Sequence, residues 1–596
     1  MEKERLKKER LKRLLDVAAG RVPADVVIRG AKVVDVYSGT ILQADIALCD
    51  EAIAGIGSTG SYRGEQEIDA SGQYAAPGFI DSHIHIESSY LSPEELGCLL
   101  VPHGGTTIIA DPHEIVNVCG LTGLDYLLKA SEETALDIKF VLPSCVPATP
   151  WEHAGARIDA DAMRGPLKDE RILGLGEFMD YPGVVNAVDG VLDKLLQAHA
   201  AGKLIDGHSP ALTGNALNAY CAAGISTDHE CATVKELQER VSRGMYVLMR
   251  QGSACHDLKN LLKGLTPENS RRLLLCSDDR QPQTIRELGH LDDHLRICVQ
   301  EGVDAITAIR MATINAAECY RLHDRGGIAP GLRADIVLLD DLEDFKVRTV
   351  FVAGRVVAQD GRYLPEVCRQ GIEAVTGSIR VKDFSVERLR LPLKGDRAHT
   401  IGMRPGTVVT TKRVETVRRN AAGEFEFEAD RDIAKIAVVE RHQGTGNVAL
   451  GLLQGYGIKQ GAVALSIAHD SHNIIVVGTN DEDMAGAVEC LIVQGGGVVF
   501  FRDGIAIDGM PMPIGGIMSD QTGEWVSERL QGLQKVAWEV LGVNREVEPI
   551  MSLCFMSLAV IPEIKITDEG LFDVTAFNFI AVDAEGELED ERGVSL

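Results

Sequence analysis

The 596-residue sequence carries 60 Lys+Arg against 88 Asp+Glu, a formal net charge of −28, with 45 % hydrophobic and 25 % charged residues. At roughly 100–200 residues per domain, that length predicts several structural units or one large domain with additions. The composition excludes a disordered, collagen-like or coiled-coil chain. The acidic balance argues against a nucleic-acid partner, which needs a basic face, and suits a substrate with little negative charge.

Thirteen Cys are scattered from Cys49 to Cys554 without a CxxC pair or a dense cluster. They predict buried thiols in a reducing compartment rather than a disulfide framework. The first twenty residues are charged throughout with no apolar h-region, so no signal peptide is expected. No run of about 18 apolar residues occurs, so no transmembrane span is expected. The expectation is a cytoplasmic protein without a membrane partner.

In chain order, residues 1–23 predict a helical extension with Leu6, Leu11, Leu14, Leu15 and Val17 on one broad face, packed against the body or a partner subunit. Residues 24–77 change to short β-rich runs separated by Gly, Ser and Asp turns. From residue 78 to 329 eight apolar runs recur at the spacing of a βα unit, at 78–83, 106–111, 139–144, 172–177, 204–208, 225–229, 245–250 and 273–278. Runs apolar on both faces are expected of parallel strands covered by helices, and a closed (β/α)8 TIM barrel is the economical reading. Residues 330–380 return to β texture and predict, together with 24–77, a small flanking β-sandwich built from both sides of the barrel in sequence. Residues 390–596 predict a separate C-terminal α+β domain with a helix near 524–540. The fold class is α/β.

In such a barrel, functional residues stand at the C-terminal ends of the strands. The first run ends in His83-Ile84-His85, the second in Asp111-Pro112-His113-Glu114, the fourth in Glu177, the fifth in His208, the sixth in Asp228-His229-Glu230 and the eighth in Asp278-Asp279. Strand alternation turns His83 and His85 to one side, where both can face one ion. Imidazoles and carboxylates without thiolate suit zinc, manganese or iron. A lone buried His is more often a core residue, and a strand-end carboxylate often caps the next helix. Those plain explanations would have to hold at six strand ends together. His103, His153, His199, His256, His290 and His294 carry no such joint pattern.

Pro77-Gly78-Phe79-Ile80-Asp81-Ser82-His83-Ile84-His85 resembles the first-strand signature of the amidohydrolase superfamily. Residues 312–317 and 325–337 resemble that family's return to its β-sandwich. Within it, His83-Ile84-His85-Ile86-Glu87-Ser88-Ser89, the stretch 105–115 and Pro513-Ile514-Gly515-Gly516-Ile517-Met518-Ser519 are similar to the bacterial adenine deaminase family, over the whole chain. The resemblance implies two divalent metal ions: His83, His85 and Asp278 on the first, His208 and His229 on the second, and a strand-four side chain bridging both. Many relatives use a carbamylated Lys there. Residues 172–179 contain no Lys, and Glu177 stands in its place. A carboxylate-bridged pair is a harder site, favouring manganese or iron over zinc.

The implied reaction is adenine plus water to hypoxanthine and ammonia, in purine salvage, by attack of metal-activated hydroxide on C6. Asp278 would relay the proton, with Asp279 able to exchange roles if the strand end is shifted by one residue. A second acid, unranked among Glu114, Asp111 and Glu87, would protonate the ring. Glu87, Ser88, Asp111, His113, His469 and His472 are the substrate-binding candidates. The loop 466–473 either covers the base or is a turn held by its own Asp and Asn side chains. Gly495-Gly496-Gly497 lacks the spacing of a nucleotide loop. The alternatives are hydrolysis of another aminopurine or a cyclic amide, and, more remotely, a non-catalytic binding protein on the same fold. A homodimer is expected, as for many large enzymes.

Overall fold

The structure is a computed structural model that describes residues 2–584. Its backbone divides into two compact units. The first comprises residues 1–112, 127–144 and 159–370, and the second 113–126, 145–158 and 371–596. Two segments inside the predicted barrel sequence, 113–126 and 145–158, therefore group with the C-terminal chain.

In the first unit, helix Glu2–Ala18 lays Leu14, Val17 and Ala18 on Ala24, Val27, Ala47 and Cys49, while Arg13 pairs with Asp25 and Asp50. Of the predicted apolar face Leu6, Leu11 and Leu15 are exposed in the single chain, and Leu14 and Val17 pack on the body. Strands from both sides of the parallel region join in one nine-stranded sheet. The joint is Tyr74–Pro77, which runs parallel to Ala24–Asp35 and antiparallel to Ile336–Leu339. Ile28, Val33, Ile46, Leu48, Ile336, Leu338 and Phe351 form its buried core.

The eight apolar runs all form strands, and all their pairings are parallel. Phe79–Ile84, Gly105–Ala110, Asp137–Leu142, Ile172–Phe178 and Leu204–Gly207 make a five-stranded sheet, and Thr227–Asp228, Tyr246–Arg250 and Leu273–Cys276 a three-stranded one. The first two strands are buried throughout, as expected where both faces are covered. Ile80, Ile109, Val141, Leu204, Leu248 and Leu274, from six different strands, meet in one cluster. The first and last strands touch at their C-terminal ends. Ile84 and Asp278 form a parallel bridge, the Asp278 N–H donates to the His83 carbonyl at 2.9 Å, and the His85 N–H donates to the Asp278 carbonyl at 3.2 Å. Between the two sheets the Ser226 N–H donates to the Ile205 carbonyl at 3.1 Å.

In the second unit, an eight-stranded sheet runs from Thr411–Thr416 at one edge to Ile505–Pro511 at the other. Helix Asp481–Gln494 packs Met484, Val488 and Leu491 onto Ala437, Ala464, Val476 and Val499 of that sheet. Asn480 caps this helix by accepting the Asp483 N–H. A further helix, Gly523–Val536, continues into one wider turn at Ala537–Leu541. Among the described residues no helix is long and apolar enough to cross a membrane.

Candidate metal centre

His83, His85, Glu177, His208, His229 and Asp278 all lie in the first unit and all are buried. They come together as overlapping triads whose ligand atoms lie within 4.8 Å of one another. His85 Nε2 is 3.0 Å from Asp278 Oδ1, 3.4 Å from Glu177 Oε1 and 3.2 Å from His83 Nε2. Glu177 Oε2 lies 2.7 Å from His208 Nδ1 and 3.3 Å from His229 Nε2. Glu177 thus turns one oxygen to each pair of imidazoles, and the His83 and His229 rings stack at 4.1 Å between centroids.

The tautomer of His85 decides what this cluster can hold. Its Nδ1 lies 3.0 Å from the Asp111 carbonyl, which can only accept, so Nδ1 carries the hydrogen. Nε2 then presents a lone pair to two carboxylate oxygens and a second imidazole nitrogen. A cation held among these atoms suits that arrangement, and an outer carbonyl fixing the ring is the usual support of a metal-binding His. The residues present therefore fit a divalent metal. Their donor set, four imidazoles and two carboxylates with no sulfur, is of the borderline-to-hard kind.

Two charged neighbours that the sequence reading left without a role complete the site. Arg250, the last residue of the seventh strand, places Nη1 3.0 Å from Asp278 Oδ2 and also pairs with Glu230 and Asp257. Glu230 Oε1 lies 3.3 Å from His229 Nε2 and 3.7 Å from His208 Nδ1. Burial works against the charged form of Asp278, but the neighbouring His83 and His85 and the Arg250 charge outweigh it and hold the carboxyl well below its usual range. At His208 and His229 burial opposes protonation and the carboxylates of Glu230 and Glu177 overcome it. At His83 burial and the neighbouring His229 prevail, and its pKa is lowered. The signal for Arg250 was its position: a cation closes an apolar run whose counterparts close with ligands.

The remaining candidates separate by unit. Asp111 supports the cluster from behind, its Oδ2 accepting the Glu177 N–H at 2.9 Å. Ser88 donates to Asp279, which ties down the buried turn Glu87–Ser89. Asp278 meets both His83 and His85, and Asp279 also joins His85 and Asp278 in one of the triads. Asp81 accepts from the Ser277 N–H at 3.1 Å and from His290 Nε2 at 2.7 Å, fastening the first strand to the last beneath His83 and Asp278. His290 is therefore a support, invisible to the sequence reading. In the second unit Glu114, His469 and His472 form a separate buried triad. Glu114 Oε1 is 2.8 Å from His469 Nδ1, and Glu114 Oε2 is 3.8 Å from His472 Nε2. His113 Nε2 lies 3.7 Å from Asp470 Oδ1, and His469 stacks on Phe555.

Comparison with known proteins adds the following. Residues 74–357 match the family model described as the amidohydrolase family, and residues 407–578 match the adenine deaminase C-terminal domain. An "Adenine deaminase 2" of Desulfotalea psychrophila is 62 % identical over 97 % of this chain and 100 % of its own length. An "Adenine deaminase" of Ligilactobacillus salivarius is 50 % identical over 97 % of this chain and 99 % of its own. One from Clostridium acetobutylicum is 43 % identical over 95 % and 99 %.

Proposed function

Because the chain belongs to the adenine deaminase family, we propose that the His85-centred cluster is where it converts adenine and water to hypoxanthine and ammonia. The observation that carries the reading is the convergence on His85 Nε2 of Asp278, Glu177 and His83, all within 3.4 Å. We assign two divalent ions to the cluster, one to His83, His85 and Asp278 and one to His208 and His229, with Glu177 between them. Manganese or iron is favoured over zinc by the hard carboxylate bridge. When bound, such ions supply an acidified water at neutral pH.

The chain's own groups do the rest. Arg250 engages Asp278 Oδ2, which leaves Oδ1 to accept the proton of the attacking water and return it to the amino group as the C6–N bond breaks and ammonia departs. The ring nitrogen gains its proton from a carboxyl of the first unit, Glu87 or Asp111. Arg250 keeps Asp278 ionised before attack, and Glu230 balances Arg250 in turn. The eight parallel strands are read as a closed (β/α)8 barrel, supported by the Ile84–Asp278 bridge, over residues 78–329. Residues 24–77 and 330–380 are read as its flanking β domain and 390–596 as the C-terminal domain.

A role in purine salvage in the cytoplasm follows from a free base as substrate. A homodimer is included in the reading, since helix Glu2–Ala18 leaves Leu6, Leu11 and Leu15 exposed. Incubating the purified protein with adenine tests the reaction. Stoichiometric hypoxanthine and ammonia support it, and a protein that ignores adenine but opens cyclic amides refutes it.

A further inference from the structure

The second unit contains a cavity of about 220 Å³ whose polar wall is Thr122, Thr376, Ser378, Arg380 and His442. No carboxylate lines it. Behind Ser378 lies Arg441, fully buried, whose guanidinium donates to the Ser378 hydroxyl at 3.1 Å, the Gly515 carbonyl at 3.1 Å, the Ser466 carbonyl at 3.3 Å and the His472 carbonyl. Every one of these acceptors is neutral. The adjacent Glu440 instead accepts the N–H groups of His442, Gln443 and Thr445. Among the described residues neither Arg380 nor Arg441 pairs with a carboxylate, in a chain of net charge −28.

A buried guanidinium without a counter-charge is costly, and proteins ordinarily pair it. Burial, only partly offset by Cys119 and Glu440, pushes Arg441 down to about 9. The sequence nevertheless builds a dedicated seat for it. At Gly516, with φ +75°, a Cβ would stand 2.8 Å from Arg441 Nη1, so Gly516 of the 513–519 motif leaves the room in which the arginine lies. The Arg380 N–H donates to the Arg441 carbonyl at 2.8 Å, which ties the two cations to one stretch of backbone. Planar guanidinium forks flanked by hydroxyls are the chemistry that recognises phosphoryl oxygens.

We propose that this cavity binds a phosphoryl group, carried either by inorganic phosphate or by a small phosphate monoester. Arg380, exposed at the rim, makes direct contact with the anion, together with the hydroxyls of Thr376 and Ser378. Arg441 supplies the positive potential through Ser378.

Calorimetric titration of the full-length, metal-loaded protein tests this, using inorganic phosphate, ribose 5-phosphate and acetate at matched ionic strength. The expected result is one saturable phosphoryl site per chain, with acetate bound far more weakly. Binding of both phosphates in competition assigns recognition to the phosphoryl group itself. Binding of one alone identifies its source. In Arg380→Gln, which removes a surface cation and is checked for intact adenine turnover, affinity should fall about tenfold or more, the range for a lost charge-assisted hydrogen bond. A Thr376→Val variant should fall in the same direction. No saturable binding of either phosphate, equal binding of acetate, or affinity unchanged in Arg380→Gln, as for phosphate held on the metal ions, overturns the proposal.

Discussion

Two buried clusters of histidines and carboxylates occur in this molecule, and their chemistry differs through the placement of single hydrogens. In the first unit His85 points Nδ1–H outward to the Asp111 carbonyl and turns a lone pair inward. In the second, His472 Nδ1 accepts the Ala468 N–H at 3.2 Å, so its hydrogen sits on Nε2 and faces Glu114. The first arrangement suits a cation, whereas in the second a hydrogen stands on the ring nitrogen that faces Glu114 at 3.8 Å. Residue types alone would equate them. The hydrogen-bond partner of the outer ring nitrogen tells them apart.

That contrast can be broken or sharpened by substitution. The largest effect is expected for Glu177→Ala, which removes the carboxylate that turns one oxygen to each pair of imidazoles. Adenine turnover should fall at least about a thousandfold, because several kcal/mol of metal-derived stabilisation is lost, and metal analysis should show fewer than the wild-type equivalents. Next, Asp278→Asn keeps the shape but not the base, so kcat should drop about 10²–10⁴-fold. Arg250→Met acts through Asp278 and should lower kcat about 10–100-fold with little change in KM, the size of effect of an outer support. A KM-led loss would instead place Arg250 on the substrate.

A smaller effect concerns stability. Burial and the neighbouring Asp470 charge push Glu152 up to about 8 from the usual 4.5. Between those values the folded protein holds a proton that the unfolded chain has lost, so this group makes stability fall as pH rises. Glu152→Gln keeps the oxygen that accepts from Thr149 and should raise stability at pH 8 by about 1–3 kcal/mol while changing nothing below pH 4. Denaturant melts at both pH values check this, and equal shifts at both would contradict it. The smallest expected effect is that of His472→Gln on metal content, which should be none.

Much of the first cluster was legible because strand alternation and strand ends are local patterns. The His83-x-His85 spacing puts two rings on one side, and six of the eight runs close in polar residues that the fold then brings together. Arg250 was not legible as a support, since a cation at a strand end reads equally as a side chain reaching for water. The outward hydrogen of His85 depends on a carbonyl 26 residues away. Likewise nothing local to 113–126 or 145–158 announces that these segments group with the C-terminal chain. The exposed Leu6, Leu11 and Leu15 show a related limit: periodicity identifies an apolar face but not what covers it.

The most direct test is to strip the protein of metal, titrate it with manganese and follow adenine turnover and bound metal together, in the wild type and in His472→Gln. Activity saturating at two equivalents per chain in both proteins is the expected result. A third equivalent that disappears in His472→Gln, or full turnover without metal, would contradict the distinction between the two clusters.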